Sequence, residues 1–153
     1  MLGNIEVDAN TVFSPGNSVG EATFGGGYIL KDGATLLIEQ EGDRIDTLTA
    51  SSFTIDSNSI IDIVADSLHP GASYDIIFQT DSEGNPKIFT EAQATDDFWN
   101  NLLTPESAYY WNLSVSGNIV RASVDANAVP EPSTWALLSL GVVVLFLRKR
   151  VRN

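Results

Sequence analysis

Apolar and polar positions alternate in short runs through residues 1–128. The runs are rich in Ile, Val, Thr and aromatic residues, and clusters of Gly, Asn, Asp, Ser or Pro separate them. A period of two is typical of β-strands, because successive side chains point to opposite faces. Strands are predicted at residues 27–30, 35–40, 47–50, 52–55, 59–65, 73–80, 109–116 and 119–125. The pattern therefore predicts an all-β body.

One segment has a helical pattern instead. Residues 95–103 place Phe98, Trp99 and Leu102 on one face, and Pro105 is expected to stop this helix. Turns are predicted where Gly follows polar residues, at 14–17, 31–33, 41–43, 69–71 and 82–85.

The last predicted hairpin has the most specific pattern. Gly117-Asn118 is a dipeptide that favours a two-residue hairpin turn. This turn predicts three cross-strand pairs, which are Val115 with Val120, Leu113 with Ala122, and Trp111 with Val124. The register puts the large apolar side chains on one face, and a slip of one residue would expose Trp111.

Three consecutive motifs carry a resemblance to a known family. Ser14-Pro15-Gly16-Asn17-Ser18 is followed by a strand, a Gly turn and a strand over residues 28–39, and then by an acidic D-R-I-D-T-L step at 43–48. Together they resemble the terminal module of large repetitive surface proteins related to autotransporter passengers. The resemblance covers roughly residues 12–124, with no clear counterpart for 85–108.

This resemblance implies a right-handed parallel β-helix, of which the chain would be the C-terminal end, with the final hairpin capping the stack. Met1 opens directly in strand-like sequence without the regions of a secretory signal peptide. A detached end rung leaves apolar surface open, so the natural polypeptide is expected to extend further at its N-terminus.

The charge divides the chain into an acidic body and a basic tail. The 153 residues hold 20 Asp and Glu against 8 Lys and Arg, a net charge of −12. All 20 acidic residues and only 4 basic ones precede Trp135, which gives −16 before it and +4 after it. An acidic body of this kind excludes nucleic acid as an expected partner. The absence of Cys excludes disulfides and thiolate chemistry.

The tail combines an extended triplet, an apolar run and a basic end. Pro130, Glu131 and Pro132 favour extended backbone, because proline fixes φ and lacks an N–H, and they are the candidate processing site. The candidate membrane helix spans residues 135–147 and contains Trp135, Leu137, Leu138, Leu140, Val142, Val143, Val144, Leu145, Phe146 and Leu147. The candidate basic stop consists of Arg148, Lys149, Arg150 and Arg152.

A helix over residues 135–147 is a marginal span. It would be about 20 Å long at 1.5 Å per residue, whereas the hydrocarbon core is ~30 Å thick. Trp135 in the headgroup region and outward-reaching basic side chains lengthen the match. The positive-inside rule keeps the basic end in the cytoplasm and places the body across the membrane. A buried core helix is the alternative, but uniform apolarity and the abrupt basic stop disfavour it.

The order of proline-acid-proline, short apolar helix and basic end closely resembles the PEP-CTERM sorting signal of Gram-negative bacteria. The resemblance implies two partners, the lipid bilayer and an exosortase, a membrane transpeptidase that cuts near the triplet. It also implies an exported surface or matrix protein, since families with this tail are often associated with extracellular polysaccharide and biofilm. The expected organisation is a β domain at 1–128 and a sorting signal at 129–153.

Other chemistry is not predicted. Gly25-Gly26-Gly27 lacks the Lys and helix of a phosphate site and is expected to form a turn, and His69 is the only histidine. Asp56, Asp62 and Asp66 are expected on exposed turns or one polar edge rather than in a glycosidase site. Residues 81–85 offer oxygens but lack the spacing of a calcium loop. We therefore assign no catalytic residue, metal or cofactor.

Three functional hypotheses follow. The first is a non-enzymatic exported protein of the cell surface or extracellular matrix. The second is the anchor module of a larger polysaccharide-active β-helix enzyme with its catalytic rungs upstream. The third is a tail-anchored protein with its body in the cytoplasm, which the positive-inside rule disfavours.

Overall fold

The strands stack in parallel, because each turn of the chain lies on the previous turn and pairs its strands with the strands of that turn. A computed structural model describes residues 3–128. Its strands are β1 Ile5–Val7, β2 Val12–Phe13, β3 Glu21–Thr23, β4 Gly27–Leu30, β5 Thr35–Glu41, β6 Arg44–Ile45, β7 Thr47–Ala50, β8 Ser52–Ile55, β9 Ile60–Ala65, β10 Ser73–Gln79, β11 Trp111–Ser116 and β12 Ile119–Val124. The helices are α1 Asp96–Asn100 and α2 Pro105–Tyr110, with a 3₁₀ turn at Glu91–Gln93.

Three parallel ladders build the body. They are formed by β1, β4 and β8, by β2, β5 and β9, and by β3, β7 and β10. Each turn of the chain contributes one strand to every ladder, so the body is a β-solenoid of about three turns. The predicted all-β class and the β-helix implied by the resemblance are confirmed.

Alternation puts one side chain in two inside the solenoid. On β5, Leu36, Ile38 and Gln40 are buried, while the residues between them are partly exposed. Parallel register stacks Tyr28 on Phe53, and Phe13 of the neighbouring ladder also packs against Tyr28. Ring centroids are 5.5 Å apart between Phe13 and Tyr28 and 5.9 Å apart between Tyr28 and Phe53. Such contacts add to the burial energy of each ring.

The C-terminal end of the solenoid is covered by the segment between the last rung and the hairpin. Trp99 is fully buried and its ring lies 6.3 Å from that of Phe53, so the aromatic contacts continue into α1. Gln93 donates from Nε2 to the carbonyl of Phe53 at 2.8 Å. Ile61 of β9 donates to the Leu102 carbonyl at 2.7 Å. Main-chain groups of the last rung are thereby satisfied.

The hairpin extends the third ladder. Strand β12 pairs antiparallel with β10, and β11 pairs with β12 in the predicted register, which places Val115 opposite Val120 and Trp111 opposite Val124. Side chains of α1 close the free edge of β11, because Asn100 donates to the Leu113 carbonyl at 2.7 Å and accepts from the Leu113 amide at 2.8 Å. The hairpin and the helical segment together cap the stack.

The sequence predictions fail mainly in the cap. Residues 109–110, predicted as strand, lie in α2, and Pro105 begins that helix instead of only ending the previous one. Proline suits the first turn of a helix, and Thr104 caps this one by accepting from the Ser107 amide at 3.1 Å. The predicted helix 95–103 shortens to Asp96–Asn100. The strand-like sequence that opens the chain contains β1, whereas the short strands β2, β3 and β6 were not predicted.

Candidate functional site

The sorting residues follow directly from the last described turn. Asp125 donates its amide to the Tyr110 carbonyl at 2.8 Å, and the Ala128 amide reaches the Asp125 carbonyl at 3.2 Å. The segment leaving the body is thus fixed at the end of α2. The candidate triplet at 130–132, the candidate membrane helix at 135–147 and the basic stop at 148–152 lie outside the described residues. Within residues 3–128, no helix has the length and apolarity needed to cross a bilayer.

The three carboxylates that were considered for a glycosidase site accept hydrogen bonds from the body, two of them at turns and one along β9. Asp56 accepts the Asp32 amide at 3.0 Å, and Asp66 accepts the Gly42 amide at 3.1 Å. Asp62 accepts the hydroxyl of Ser107 at 2.9 Å on the outer side of β9. The first two contacts link residues 24 positions apart and so tie one solenoid turn to the next. This arrangement favours a structural role for these carboxylates.

His69 lies exposed on the loop before β10. Its Nε2 is 3.4 Å from the Ser67 hydroxyl, but that hydroxyl also lies 2.9 Å from Asp66 Oδ1, to which it donates. A serine hydroxyl that donates its hydrogen bond to an exposed carboxylate does not donate it to the imidazole, so the imidazole does not activate it as a nucleophile. The contact therefore has the geometry of a polar loop rather than that of a nucleophile and base.

In the loop at residues 81–85, the carboxylate oxygens of Asp81 accept hydrogen bonds from other residues of the same loop. Asp81 Oδ1 accepts the amides of Glu83 at 2.9 Å and Asn85 at 2.8 Å, and Oδ2 accepts Asn85 Nδ2 at 3.0 Å. The Asn85 side chain, followed by these backbone amides, lowers the pKa of the Asp81 carboxyl. Residues 3–128 contain no group of three or more His, Asp or Glu side chains placed to hold a metal ion.

The glycine run at 25–27 forms a close backbone approach. A Cβ on Gly26 would lie 2.0 Å from the Asn4 Oδ1 atom, and Asn4 Oδ1 accepts the Gly27 amide at 2.7 Å. The run is therefore a tight corner, in agreement with the predicted turn.

Buried polar groups elsewhere stabilise the corners. Asp46 is fully buried, and its carboxylate accepts the Gly20 amide at 2.6 Å and the Glu39 amide at 2.8 Å. Inside the solenoid, burial raises the pKa of the Tyr28 hydroxyl well above its usual range. The Asp46 carboxylate and the Tyr28 hydroxyl are both buried, so neither lies on an open surface where a ligand could reach it.

Two surface depressions adjoin at β9 and share the residues Val64 and Ala65. The first has a volume of about 310 Å³ and is also lined by Ser18, Val19, Glu39, Gln40, Glu41 and Asp66. The second, of about 170 Å³, is also lined by Asp62, Ile63, Leu68, Glu106, Tyr110 and Trp111. We call these two depressions together the β9 surface.

Sequence reasoning missed the β9 surface because its residues come from four separate segments. The signal that could have found it is the solenoid period, which places Thr35 beside Ile60 and Glu39 beside Val64, 25 positions apart. Aligning the chain with itself at this offset would have put Glu39, Glu41, Val64 and Asp66 on neighbouring strands.

The geometry defines a parallel β-solenoid whose C-terminal end is covered and whose following segment begins at a fixed point beside α2. A family model, the PEP-CTERM protein-sorting motif, matches residues 128–150. The chain therefore carries this sorting motif, which implies export, C-terminal membrane anchoring before processing, and processing by an exosortase. A search of curated proteins gives no match.

Proposed function

We propose that the protein is a non-enzymatic component of the cell surface or extracellular matrix, delivered there by exosortase processing of its C-terminal tail. The observation that carries the proposal is the sorting motif at residues 128–150. The Pro-Glu-Pro triplet at 130–132 is the recognition site, the apolar run at 135–147 holds the precursor in the membrane, and the basic residues at 148–152 stay in the cytoplasm.

The structure of the body supports a role that does not need catalysis. Asp56, Asp62 and Asp66 are each engaged in hydrogen bonds that hold turns or the outer side of β9. Asp46 is buried behind the turn at 14–20. Carboxylates that are held in hydrogen bonds of the body are not free to contact a substrate as a general base must. The ligand groups of this body are therefore expected on its surface.

The point at which the chain leaves the folded body also supports processing. The last described turn is fixed to α2 through Asp125 and Tyr110, so the triplet begins only a few residues from a rigid body. A transpeptidase binds its substrate as extended backbone, and Pro130 and Pro132 favour that form in advance. A segment with this preference, placed between the folded body and an apolar run in the membrane, would be accessible to an enzyme in the same membrane.

The test is to express the full chain, behind a secretory signal peptide, in hosts with and without the cognate exosortase and to determine the mature C-terminus by mass spectrometry. We expect the end at Arg152-Asn153 to be lost only when the exosortase is present. The double variant Pro130→Ala with Pro132→Ala should remain uncut, because its backbone no longer favours the extended form.

The matched control is Ala126→Ser with Asn127→Ala, two substitutions in the segment just before the triplet. This control should be processed like the wild type. An intact Arg152-Asn153 end in both hosts would overturn the processing step, and equal cleavage of the proline variant would remove the triplet from recognition.

A further inference from the structure

The chain leaves the folded body at the corner where β12 ends. The Val124 amide donates to the Ala72 carbonyl at 2.8 Å, and the Asp125 amide donates to the Tyr110 carbonyl at 2.8 Å. Asp125 Oδ1 then accepts the Asn127 amide at 2.8 Å. These bonds hold the chain to the loop before β10 and to the end of α2. The point from which the sorting segment starts is therefore fixed on the body.

Three segments surround this exit point, and we call them together the exit face. They are the loop at residues 68–71, the end of α2 at residues 109–110, and the turn at residues 125–128. The Gly71 amide donates to the Val124 carbonyl at 3.3 Å, which joins the loop to the end of β12. Leu68 and Tyr110 line the same depression, which joins the loop to α2. The exit face is therefore one surface, although its segments are far apart in the sequence.

Tyr109 is the large exposed side chain of the exit face. It is 62% exposed, and its ring lies edge-on against that of Tyr110, with a centroid distance of 4.8 Å and an interplanar angle of 87°. Tyr110 is partly buried against the core, so it supports the Tyr109 ring from the side of the body. A tyrosine combines an apolar ring with a polar hydroxyl, and this combination favours the interface between a membrane and water.

The sorting motif brings the exit face close to a bilayer. The motif at residues 128–150 implies membrane anchoring before processing. Trp135, which is expected in the headgroup region, follows Ala128 by seven positions. A fully extended chain spans at most about 3.5 Å per residue, so the exit point lies within about 25 Å of Trp135. A tether this short gives a high effective concentration, so a weak contact by one side chain is sufficient.

The charge of the body determines which headgroups the exit face fits. The exit face contains Asp125 and His69 but neither Lys nor Arg within its three segments. The chain before Trp135 has a net charge of −16. Anionic headgroups attract basic clusters and repel an acidic body. The exit face therefore fits neutral headgroups, where the contact depends on the tyrosine ring rather than on charge.

We propose that the exit face lies on the lipid headgroups while the precursor is anchored, with Tyr109 as its main contact. The Tyr109 ring enters the headgroup region, and the first rung, at the other end of the solenoid, lies farther from the lipid. The triplet at residues 130–132 is then held near the surface of the membrane that contains the exosortase. The inference rests on the proposed function for the anchoring of the tail.

The test uses the full chain reconstituted in phosphatidylcholine vesicles, in which some headgroups carry a nitroxide quencher. The sequence has no Cys, so one introduced cysteine accepts a fluorophore at a single position. Ala108→Cys places this probe beside Tyr109, and Ala9→Cys places it on the exposed turn between β1 and β2. We expect the nitroxide to cause a loss of fluorescence from the Ala108 probe and none from the Ala9 probe.

Tyr109→Ser in the Ala108→Cys chain removes the ring and should reduce the quenching about fivefold, because the ring supplies most of the apolar contact. The matched control is Val12→Ser in the same Ala108→Cys chain. Val12 is 63% exposed on the first rung, so this control also removes an exposed apolar side chain and should leave the quenching unchanged. Circular dichroism of both variants checks that the fold is kept.

Flotation of the vesicles distinguishes the failure of this proposal from that of the anchoring. A chain that does not float with the vesicles would overturn both. If the chain floats but the two probes are quenched equally, or Tyr109→Ser has no effect, only the contact is wrong. Quenching of the Ala108 probe that requires added exosortase would assign the exit face to the enzyme, and the lipid contact would again be wrong. Tail processing is measured separately from the mature C-terminus.

Discussion

At the scale of single residues, buried polar groups hold the corners of the solenoid. Asp46 is the clearest example, because it is fully buried and its two carboxylate oxygens accept the amides of Gly20 and Glu39. The turn at 14–20 is packed so tightly that a Cβ on Gly16 would lie 2.1 Å from the Ser18 carbonyl oxygen. The motifs that resemble the surface-protein module therefore include residues with a direct structural role at one corner.

Asp46→Asn is expected to destabilise the protein by about 2 kcal/mol, because an asparagine amide replaces one acceptor by a donor that faces a backbone N–H. The measurement is the free energy of unfolding in urea on the full chain in non-ionic detergent. Asp43→Asn, at an exposed position two residues from Ile45, is the control and should change it by less than about 0.5 kcal/mol. Equal stability of the two variants would contradict the structural role of Asp46.

At the scale of elements, α1 protects the edge strand β11 at the C-terminal end of the fold. Strands β1, β2 and β3 are the first strands of their ladders. At the other end β11 is a sheet edge, and α1 lies along it with Asn100 bonded to Leu113 and Asp96 Oδ1 bonded to the Val115 amide at 2.8 Å. Covering an edge with side-chain partners prevents another strand from pairing there.

Asn100→Ala removes two hydrogen bonds from this edge, so we expect the Leu113 amide to exchange with solvent at least about tenfold faster through local opening. Hydrogen exchange followed by NMR or mass spectrometry measures the effect. Asn101→Ala changes an exposed neighbour on the same turn and should leave the Leu113 exchange rate at its wild-type value. Unchanged exchange in the Asn100 variant would mean that the edge is protected by other contacts.

At the scale of the whole molecule, excess negative charge works against the compact state. Before Trp135 the chain holds 20 acidic and 4 basic residues, a net charge of −16. Among the described residues the ion pairs are few and exposed, with Lys31 joined to Glu6 and Asp8, and Arg121 to Asp75 at 2.7 Å. Exposed pairs contribute little. Stability therefore comes chiefly from the buried interior, and charge repulsion reduces it.

Raising NaCl from ~10 mM to ~150 mM should increase the Tm, because the screening length falls from ~30 Å to ~8 Å and repulsion among the carboxylates decreases. Thermal unfolding of the full chain, followed by circular dichroism in non-ionic detergent, measures this change. KCl at the same ionic strength should give the same Tm, since screening does not depend on the identity of the cation. A Tm that stays constant or falls with salt would show that the repulsion is not significant.

Much of the fold could be predicted from local pattern. The strands at 27–30, 47–50 and 52–55 have the predicted bounds, and the hairpin has the predicted register, because alternation and a two-residue turn act over a few neighbouring residues. The short strands β2, β3 and β6 have too few residues to display a period. Residues 109–110 lie in α2 because Thr104 and Pro105 start a helix that runs to the edge of β11.

The sequence by itself determined the alternation of the strands, the hairpin register, the separation of an acidic body from a basic tail, and the sorting motif at the C-terminus, because each of these depends on residues close together in the chain. Only the tertiary structure decided which strands share a ladder, how the cap covers the last rung, and that Glu41, Val64 and Glu106 line one surface. These features depend on contacts between residues tens of positions apart. Stacking of the solenoid turns creates those contacts, and local pattern does not specify them.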